Sequence, residues 1–190
     1  MATPLGGSFY LQPTLTVARE LIGCVLARRW RGRWLTGRIV ETEGYLTGDP
    51  ASHAWRGQSK RNAAMFGPPG HAYVYTIHTH WLLNAVTQVE GVAEAVLLRS
   101  IEPLEGIDAM KRARRTDKLR DLCGGPGRLC QALHIDLRFD GQPLDRGDLL
   151  ILEGSAPVGE IRAARRIGIR EAAEKEWRFY LADSPFVSKR

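Results

Sequence analysis

The sequence has no long hydrophobic run and few cysteines, and each shortage excludes a class of protein. No stretch approaches the ~18 consecutive apolar residues that a membrane-spanning helix needs, so no membrane partner is predicted. Three cysteines do not suit a disulfide framework. Cys123 and Cys130 have no histidine at metal-ligand spacing, so both are expected to be buried thiols. Residues 1–8 lack the charged-then-apolar plan of a secretory signal, which favours a cytoplasmic protein, on the nucleoid if the source is bacterial.

Internal repeats, low-complexity tracts and long linkers rich in Pro, Gly or Ser are also missing from the sequence. A chain of 190 residues has the size of one compact domain, which buries about 70% of its unfolded surface and needs no disulfide or metal to fold. We therefore expect a single domain over residues 1–190, acting as a monomer.

Positive charge is in excess, since 27 Lys and Arg against 21 Asp and Glu give a formal net charge of +6. Residues 111–128 concentrate this excess, with seven Lys and Arg against two Asp, and a second basic run covers 162–170. Such runs are often only solvated faces. Their concentration here favours a polyanionic partner, because Lys and Arg that neutralise phosphates release counterions.

Hydrophobic patterning predicts strands first and helices later. A short helix is expected from Thr14 or Thr16 to Ile22, followed by hairpins over 24–46 and 72–87 and a strand over 93–101. The later elements are helices over 103–115 and 127–133 and strands over 149–152 and 161–169. Consecutive hairpins imply a mixed α+β fold: a largely antiparallel curved sheet or open barrel with helices packed around it and a protruding β-hairpin.

Two acidic side chains and an aromatic ring share one face of the first long strand. On a strand, Glu41, Glu43 and Tyr45 alternate with their neighbours and point to the same side. Buried acids are costly unless they find partners, and the buried face of a strand normally carries apolar side chains. Two acids on such a face therefore suggest a functional site. The alternative is an exposed strand with salt-bridged glutamates, and this segment alone does not separate the two interpretations.

Two tyrosines alternate in the same way on a later strand, where Tyr73 and Tyr75 fall on one side. Ordinary sheet packing accounts for such a pair when nothing else is known. Together with Tyr45, however, they could wall a pocket in which a flat, electron-poor ligand such as an alkylated purine gains stacking and cation–π attraction.

Six blocks along the chain resemble one family in the family's own order. They are RIVETEGYL at 38–46, RNAAMF at 61–66, GHAYVY at 70–75, VLLRSIEPLEG at 96–106, LCGGPGRLCQAL at 122–133 and SPFVS at 184–188. The sequence is similar to the alkyladenine (3-methyladenine) DNA glycosylases, also called methylpurine glycosylases. The resemblance implies a monofunctional base-excision-repair enzyme that takes alkylated or deaminated purines out of duplex DNA and leaves an abasic site.

The resemblance also implies a role for each matched residue. Glu43 corresponds to the carboxylate that activates the attacking water, and Arg99 to the arginine that helps to place that water. Tyr45, His53 and Tyr75 correspond to residues that enclose the extruded base. Asn84 corresponds to a residue that disfavours the exocyclic amine of guanine, which would favour alkylated adenine and hypoxanthine. No cofactor, metal or Schiff-base lysine is implied.

The chain departs from the family pattern at the hairpin that fills the gap left by the extruded nucleotide. His78 stands where the family has a tyrosine, and one residue fewer precedes Asn84. Intercalation is therefore assigned to His78 with Trp81 as an assistant. Phosphate contacts are expected from four basic residues, which are Arg61, Arg112, Arg115 and Arg128.

Two other functions compete with base excision. His71, His78 and His80 could ligate a metal in a hydrolase that uses Glu43 as base, although His71 lies on the opposite strand face and no third ligand is evident. A non-catalytic nucleic-acid-binding module would also carry basic segments and aromatic rings. Glu43 argues against the second alternative, because an acid in an anion-binding groove only weakens phosphate affinity.

Overall fold

A computed structural model describes residues 2–154 and 159–189 and shows a mixed α+β fold built on one curled antiparallel sheet. After a 3₁₀ turn at Gly7–Leu11, the chain forms helix α1 (Thr14–Glu20) and the hairpin of β1 (Val25–Trp30) and β2 (Arg33–Tyr45). The strands β3 (Ala72–Ile77), β4 (His80–Thr87) and β5 (Glu94–Glu105) follow a 3₁₀ turn at Ala63–Phe66.

The second half of the described chain packs short helices against this sheet. These are α2 (Ile107–Arg114), α3 (Leu119–Leu122) and α4 (Pro126–Ala132), followed by a 3₁₀ turn at Leu137–Phe139. Three short strands complete the sheet: β6 (Leu149–Leu152), β7 (Ile161–Ala164) and β8 (Arg178–Leu181). The predicted fold class is confirmed, including the hairpin of β3 and β4, whose tip is exposed at residues 76–80.

The strand β2 is the centre of the sheet. Along one side it pairs with β5, and along the other side it pairs first with β1 and then, from Glu41 to Glu43, with β8. Its second half is thus flanked by β5 and β8, and Glu41, Thr42 and Glu43 are completely buried. The register with β5 shifts on both sides of Glu41, which marks a bulge at this point.

The segment 141–144 joins the two edges of the sheet. Gly141 and Gln142 exchange main-chain hydrogen bonds with Ala72 at the start of β3, and Leu144 accepts a hydrogen bond from Ile151 of β6 at 2.9 Å. The sheet order β3-β4-β5-β2-β1-β6 therefore curls until its ends share this segment. Buried leucine, isoleucine and valine side chains fill the interior, together with the free thiols of Cys24, Cys123 and Cys130.

Two sequence predictions need correction, and two short elements were missed. The helix expected over 103–115 begins only at Ile107, because β5 continues to Glu105 and Pro103 takes part in the pairing with β2 opposite Gly37. The strand expected over 161–169 ends at Ala164. Strand β8 and the short helix α3 were not predicted. No helix in the described part of the chain is long and apolar enough to span a membrane.

Candidate active site

The carboxylate of Glu43 is completely buried and fully engaged. Its Oε1 accepts a hydrogen bond from the main-chain N–H of Ile167 at 2.7 Å, and its Oε2 accepts one from the Tyr45 hydroxyl at 3.0 Å. Arg99 Nη1 lies 3.1 Å from the same Oε2. Burial raises the pKa of Glu43 above its usual value, and Arg99, the Ile167 N–H and Tyr45 oppose that rise. Glu43 is therefore a stronger base than an exposed carboxylate.

Glu41 holds the arginine that faces Glu43. Its Oε1 accepts hydrogen bonds from Arg99 Nε at 3.1 Å and from Arg178 Nη1 at 2.9 Å, and its Oε2 accepts one from the Ser188 N–H at 2.7 Å. Arg99 thus bridges both acids of β2. Its contact with Glu41 holds the guanidinium in position to contact Glu43. The exposed-strand interpretation is wrong, because both carboxylates are buried although both are ion-paired.

A cavity of about 480 Å³ opens beside this cluster, within the range of small-molecule sites. The structure brings together at its wall the predicted residues Tyr45, His53, Tyr75, Asn84 and Arg99. Glu43 itself does not line the cavity. Its carboxylate lies directly behind Tyr45, Arg99 and Ile167, each of which contacts Glu43 and also lines the cavity.

Aromatic rings form one side of the cavity. The ring centroids of Tyr73 and Tyr75 lie 5.3 Å apart on the same face of β3, and the His53 ring meets Tyr75 edge to face at 4.3 Å. His53 Nδ1 lies 2.8 Å from the Tyr73 hydroxyl. Burial, with Arg61 as a second cause, lowers the pKa of His53, and burial raises the pKa of Tyr75 to about 12. Near neutral pH the wall is thus an uncharged imidazole and protonated phenols.

Asn84 is buried on β4 in register with Tyr73. Its Nδ2 donates a hydrogen bond to the Tyr73 carbonyl at 3.0 Å, which fixes the plane of the amide and turns its oxygen away from that bond. A rigid amide at the wall of a flat cavity can discriminate between bases by where they carry an exocyclic amine. The shortened hairpin therefore still brings Asn84 to the cavity.

The two residues assigned to intercalation occupy different environments. His78 lies in the turn between β3 and β4, with a left-handed φ of 52°, and its side chain is exposed. Trp81 is half-buried and packs against the core. Ile77, which sequence reasoning missed, is 43% exposed at the tip and also lines the cavity. Ile77 continues the alternation of Tyr73 and Tyr75 along β3, so the same strand pattern would have predicted it.

A buried ion pair behind Tyr45 was also missed. Both side chains of the Arg166–Asp49 pair are fully buried, with Arg166 Nη2 3.0 Å from Asp49 Oδ1. Arg166 Nη1 donates a hydrogen bond to the Gly44 carbonyl at 3.1 Å, and the guanidinium lies 4.7 Å from the centroid of the Tyr45 ring. Arg166 belongs to a basic run in the sequence, which gives no sign that one member is buried.

The four predicted phosphate contacts do not lie together. Arg61 is exposed beside the hairpin and donates a hydrogen bond to the Thr76 carbonyl at 3.0 Å, and Arg128 is exposed two residues after Pro126, which lines the cavity. Arg115 ends α2 in a left-handed conformation. Arg112 lines a separate cleft. The structure thus places Arg61 beside the hairpin that lines the cavity, Arg128 in a cleft with Lys118 and Arg120, and Arg112 elsewhere.

The histidines of the metal alternative do not assemble. Within residues 2–154 and 159–189, no three His, Cys, Asp or Glu side chains are grouped so that they could hold a metal ion. His78 leaves the strand in the turn, so it does not share a strand face with His80. His80 instead contacts α4, where a Cβ added to Gly127 would lie 2.8 Å from His80 Cβ.

The fold and the site together define an enzyme that places a buried carboxylate and an arginine beside an aromatic cavity. A model of the methylpurine-DNA glycosylase family matches residues 8–185, so the chain belongs to this family and is a DNA-repair glycosylase that acts on DNA. Three relatives carry the name "Putative 3-methyladenine DNA glycosylase". The protein of Carboxydothermus hydrogenoformans is 47% identical, with 96% of this chain and 97% of the relative covered. That of Methanoculleus marisnigri is 46% identical with 98% and 99% covered, and that of Agrobacterium fabrum is 50% identical with 96% and 91% covered.

Proposed function

We propose that this glycosylase extrudes a damaged purine nucleotide from duplex DNA, binds its base in the aromatic cavity and hydrolyses the N-glycosidic bond with a water activated by Glu43. The observation that carries the proposal is the fully buried, arginine-paired carboxylate directly behind the wall of that cavity. The products are the free base and an abasic site, and the substrates are 3-methyladenine, 7-methylguanine and hypoxanthine in DNA. No resident cofactor takes part, and the enzyme acts as a monomeric single domain.

Electrostatics support the role of Glu43. Cleavage of an N-glycosidic bond develops positive charge on the sugar, so an anionic carboxylate nearby stabilises the transition state while it takes a proton from water. Arg99 opposes the rise in the pKa of Glu43 that burial causes and so favours the ionised carboxylate. Water must reach Glu43 between Tyr45, Arg99 and Ile167, the three groups that separate the carboxylate from the cavity. A binding module would gain nothing from a buried acid at this place.

The cavity wall supports the choice of substrate. A purine alkylated on a ring nitrogen is cationic, so it is a good leaving group and is attracted to the faces of Tyr45 and Tyr75. A lesion that pairs poorly costs less to extrude than an intact base pair, which adds selectivity before the base reaches the cavity. The fixed amide of Asn84 disfavours the exocyclic amine of guanine, so 7-methylguanine should be cleaved more slowly than 3-methyladenine and hypoxanthine.

Defined duplexes test the proposal. Oligonucleotides that each carry one lesion are incubated with enzyme, and abasic sites are then cleaved with alkali. Glu43→Gln should bind the lesion with unchanged affinity and retain less than about 1% of the single-turnover rate, because general-base catalysis contributes roughly 10²–10⁴-fold. Glu105→Gln, an exposed acid at the far end of β5, is the matched control. If Glu43→Gln cleaves as fast as Glu105→Gln, Glu43 is not the base.

The hairpin gives a second test of the same function. We expect His78→Ala to weaken lesion binding more than it slows the chemical step, because His78 lies at the exposed tip and does not line the cavity. Unchanged affinity with a slower single-turnover rate would contradict this assignment. Binding should also weaken steeply with salt, since several cations contact phosphates. Activity that persists in excess EDTA removes the metal-hydrolase alternative.

A further inference from the structure

Arg28 differs from every other buried arginine in the described chain. Arg99, Arg166 and Arg178 each form an ion pair with a buried carboxylate. Arg28 is only 6% exposed and forms no ion pair with any described residue. Its Nη1 donates to the main-chain carbonyls of Arg29 and Asp148, and its Nε is buried without a hydrogen-bond partner.

The position of Arg28 in the sheet makes this isolation costly. Arg28 follows Leu26 on the same face of β1, and Leu26 is completely buried in the core. A methionine or leucine could pack there, whereas a buried cation without a counterion loses hydration that two main-chain carbonyls replace only in part. The ring of Phe139, 4.4 Å from the guanidinium carbon, offsets part of this loss. Desolvation lowers the pKa of Arg28, and the nearby carboxylates of Asp148 and Asp136 oppose this shift without forming an ion pair with Arg28.

Arg28 lines a cleft of about 520 Å³ between β1 and the segment that closes the sheet. Three more arginines and a single acid line the same cleft, namely Arg29, Arg138, Arg146 and Asp148. Each of the three additional arginines is exposed and paired with its own aspartate, at 2.7 to 3.0 Å. The rim arginines are thus each balanced by an aspartate, and the buried Arg28 is the one cation of the cleft without an ion pair among the described residues.

We propose that this cleft binds a phosphate group, with Arg28 as its buried anchor and Arg138 and Arg146 as its rim. A phosphate oxygen would supply the acceptor that the Arg28 guanidinium lacks, and arginine matches phosphate geometry better than any other side chain. The site is separate from the cavity: Arg28 pairs with Leu35, eight residues before Glu43 on the same strand, or about 25 Å away at about 3.3 Å per residue. The proposal does not depend on the role of Glu43.

Thermal unfolding in inorganic phosphate, at constant ionic strength set with sodium chloride, tests the site. The wild type should show a saturable rise in Tm of about 3–6 °C at tenfold excess over the half-saturating concentration. Arg28→Met should show no such rise, and without phosphate its Tm should equal or exceed that of the wild type. Arg162→Met, an exposed arginine on β7, is the control and should respond as the wild type does. A phosphate response that survives in Arg28→Met overturns the proposal.

A substitution at the exposed rim of the cleft, Arg138→Met, provides a second test if Arg28→Met does not fold. Arg138 is exposed, so Arg138→Met should fold normally and raise the half-saturating phosphate concentration at least threefold. An unchanged value would also overturn the proposal. The affinity for undamaged duplex then separates the two sources of phosphate. A loss of affinity in the variants identifies the backbone of a DNA segment, and unchanged affinity identifies free phosphate.

Discussion

The buried ion pair behind Tyr45 allows a sharp test of how this site is held together. Asp49→Asn keeps the size and shape of the side chain but removes the charge that faces Arg166. Both side chains are fully buried, and Arg166 already has one nitrogen, Nε, without a partner. The variant would therefore leave a cation in the interior with only a neutral amide and the Gly44 carbonyl as acceptors.

The structure sets the magnitude of this loss. Removing one member of a buried pair costs about 3–5 kcal/mol, because the remaining charge keeps its desolvation penalty. A domain of this size typically has 5–15 kcal/mol of stability, so the variant should still fold but unfold at a much lower temperature. At about 2–4 °C per kcal/mol, Tm should fall by about 6–20 °C. Asp145→Asn breaks an exposed pair with Arg146 and should change stability by less than about 0.5 kcal/mol.

A double variant separates the charge from the packing. Asp49→Leu with Arg166→Met replaces the pair by apolar side chains, which is often neutral or stabilising. We expect its Tm to lie well above that of Asp49→Asn, as measured by calorimetry and by urea titration. The reasoning fails if Asp49→Asn costs less than about 1 kcal/mol, or if the double variant is the less stable of the two. The double variant should also bind lesions less tightly, because Tyr45 and the Gly44 carbonyl lose the guanidinium that holds them.

Three further perturbations test the charges and packing around the cavity. Glu43→Gln leaves Arg99 paired with Glu41, unlike Arg166 in Asp49→Asn, so this variant should be more stable than the wild type at pH 7. Burial raises the folded-state pKa of Glu43, so its ionisation destabilises the folded state above that pKa, and the advantage of the variant in urea titrations should shrink as pH falls towards the unfolded value. Arg99→Met removes the cation that lowers the pKa of Glu43, so the acidic limb of the kcat/KM–pH profile should move to higher pH, and a shift to lower pH would contradict the pairing. Gly127→Ala places a Cβ 2.8 Å from His80 Cβ and should raise the Kd for a lesion duplex severalfold, whereas Gly6→Ala, with no atom within 4 Å, should not.

Local sequence patterns predicted most of the strands and helices of the fold. The two hairpins follow from alternating apolar residues and tight turns, and the turn residues Arg31, Gly32 and His78 adopt the left-handed conformations that two-residue hairpin turns favour. The predictions were wrong where the helical or strand preference of a segment conflicts with the strand pairing that the fold imposes. Leu104 and its neighbours fit a helical period, yet β2 is 13 residues long and holds β5 in the sheet up to Glu105. Strand β8 was missed because its place in the sheet depends on pairing with β2 at Glu41 to Glu43, which its own sequence does not show.

The candidate site could be predicted only as a set of residue types. Strand alternation places Glu43 and Tyr45 together, and the resemblance adds Arg99, His53 and Asn84. Neither reveals that Arg99 bridges Glu41 and Glu43, since this bridge depends on the bulge in β2 beside Glu41 and on the pairing of β2 with β5. Arg166 and Arg28 lie in ordinary basic runs, and only tertiary packing shows that they are buried.

The three buried charge clusters around β1 and β2 differ in how completely they are neutralised, and this difference has functional meaning. The Arg166–Asp49 pair balances its charge within the fold and holds the strand that carries Tyr45. The cluster of Glu41, Glu43, Arg99 and Arg178 pairs two acids with two arginines and places one carboxylate beside the cavity, where the proposed reaction develops positive charge. Arg28 alone is left without a counterion among the described residues. A buried charge that the fold neutralises serves stability, whereas one that lacks a counterion destabilises the free protein until a ligand supplies the missing partner.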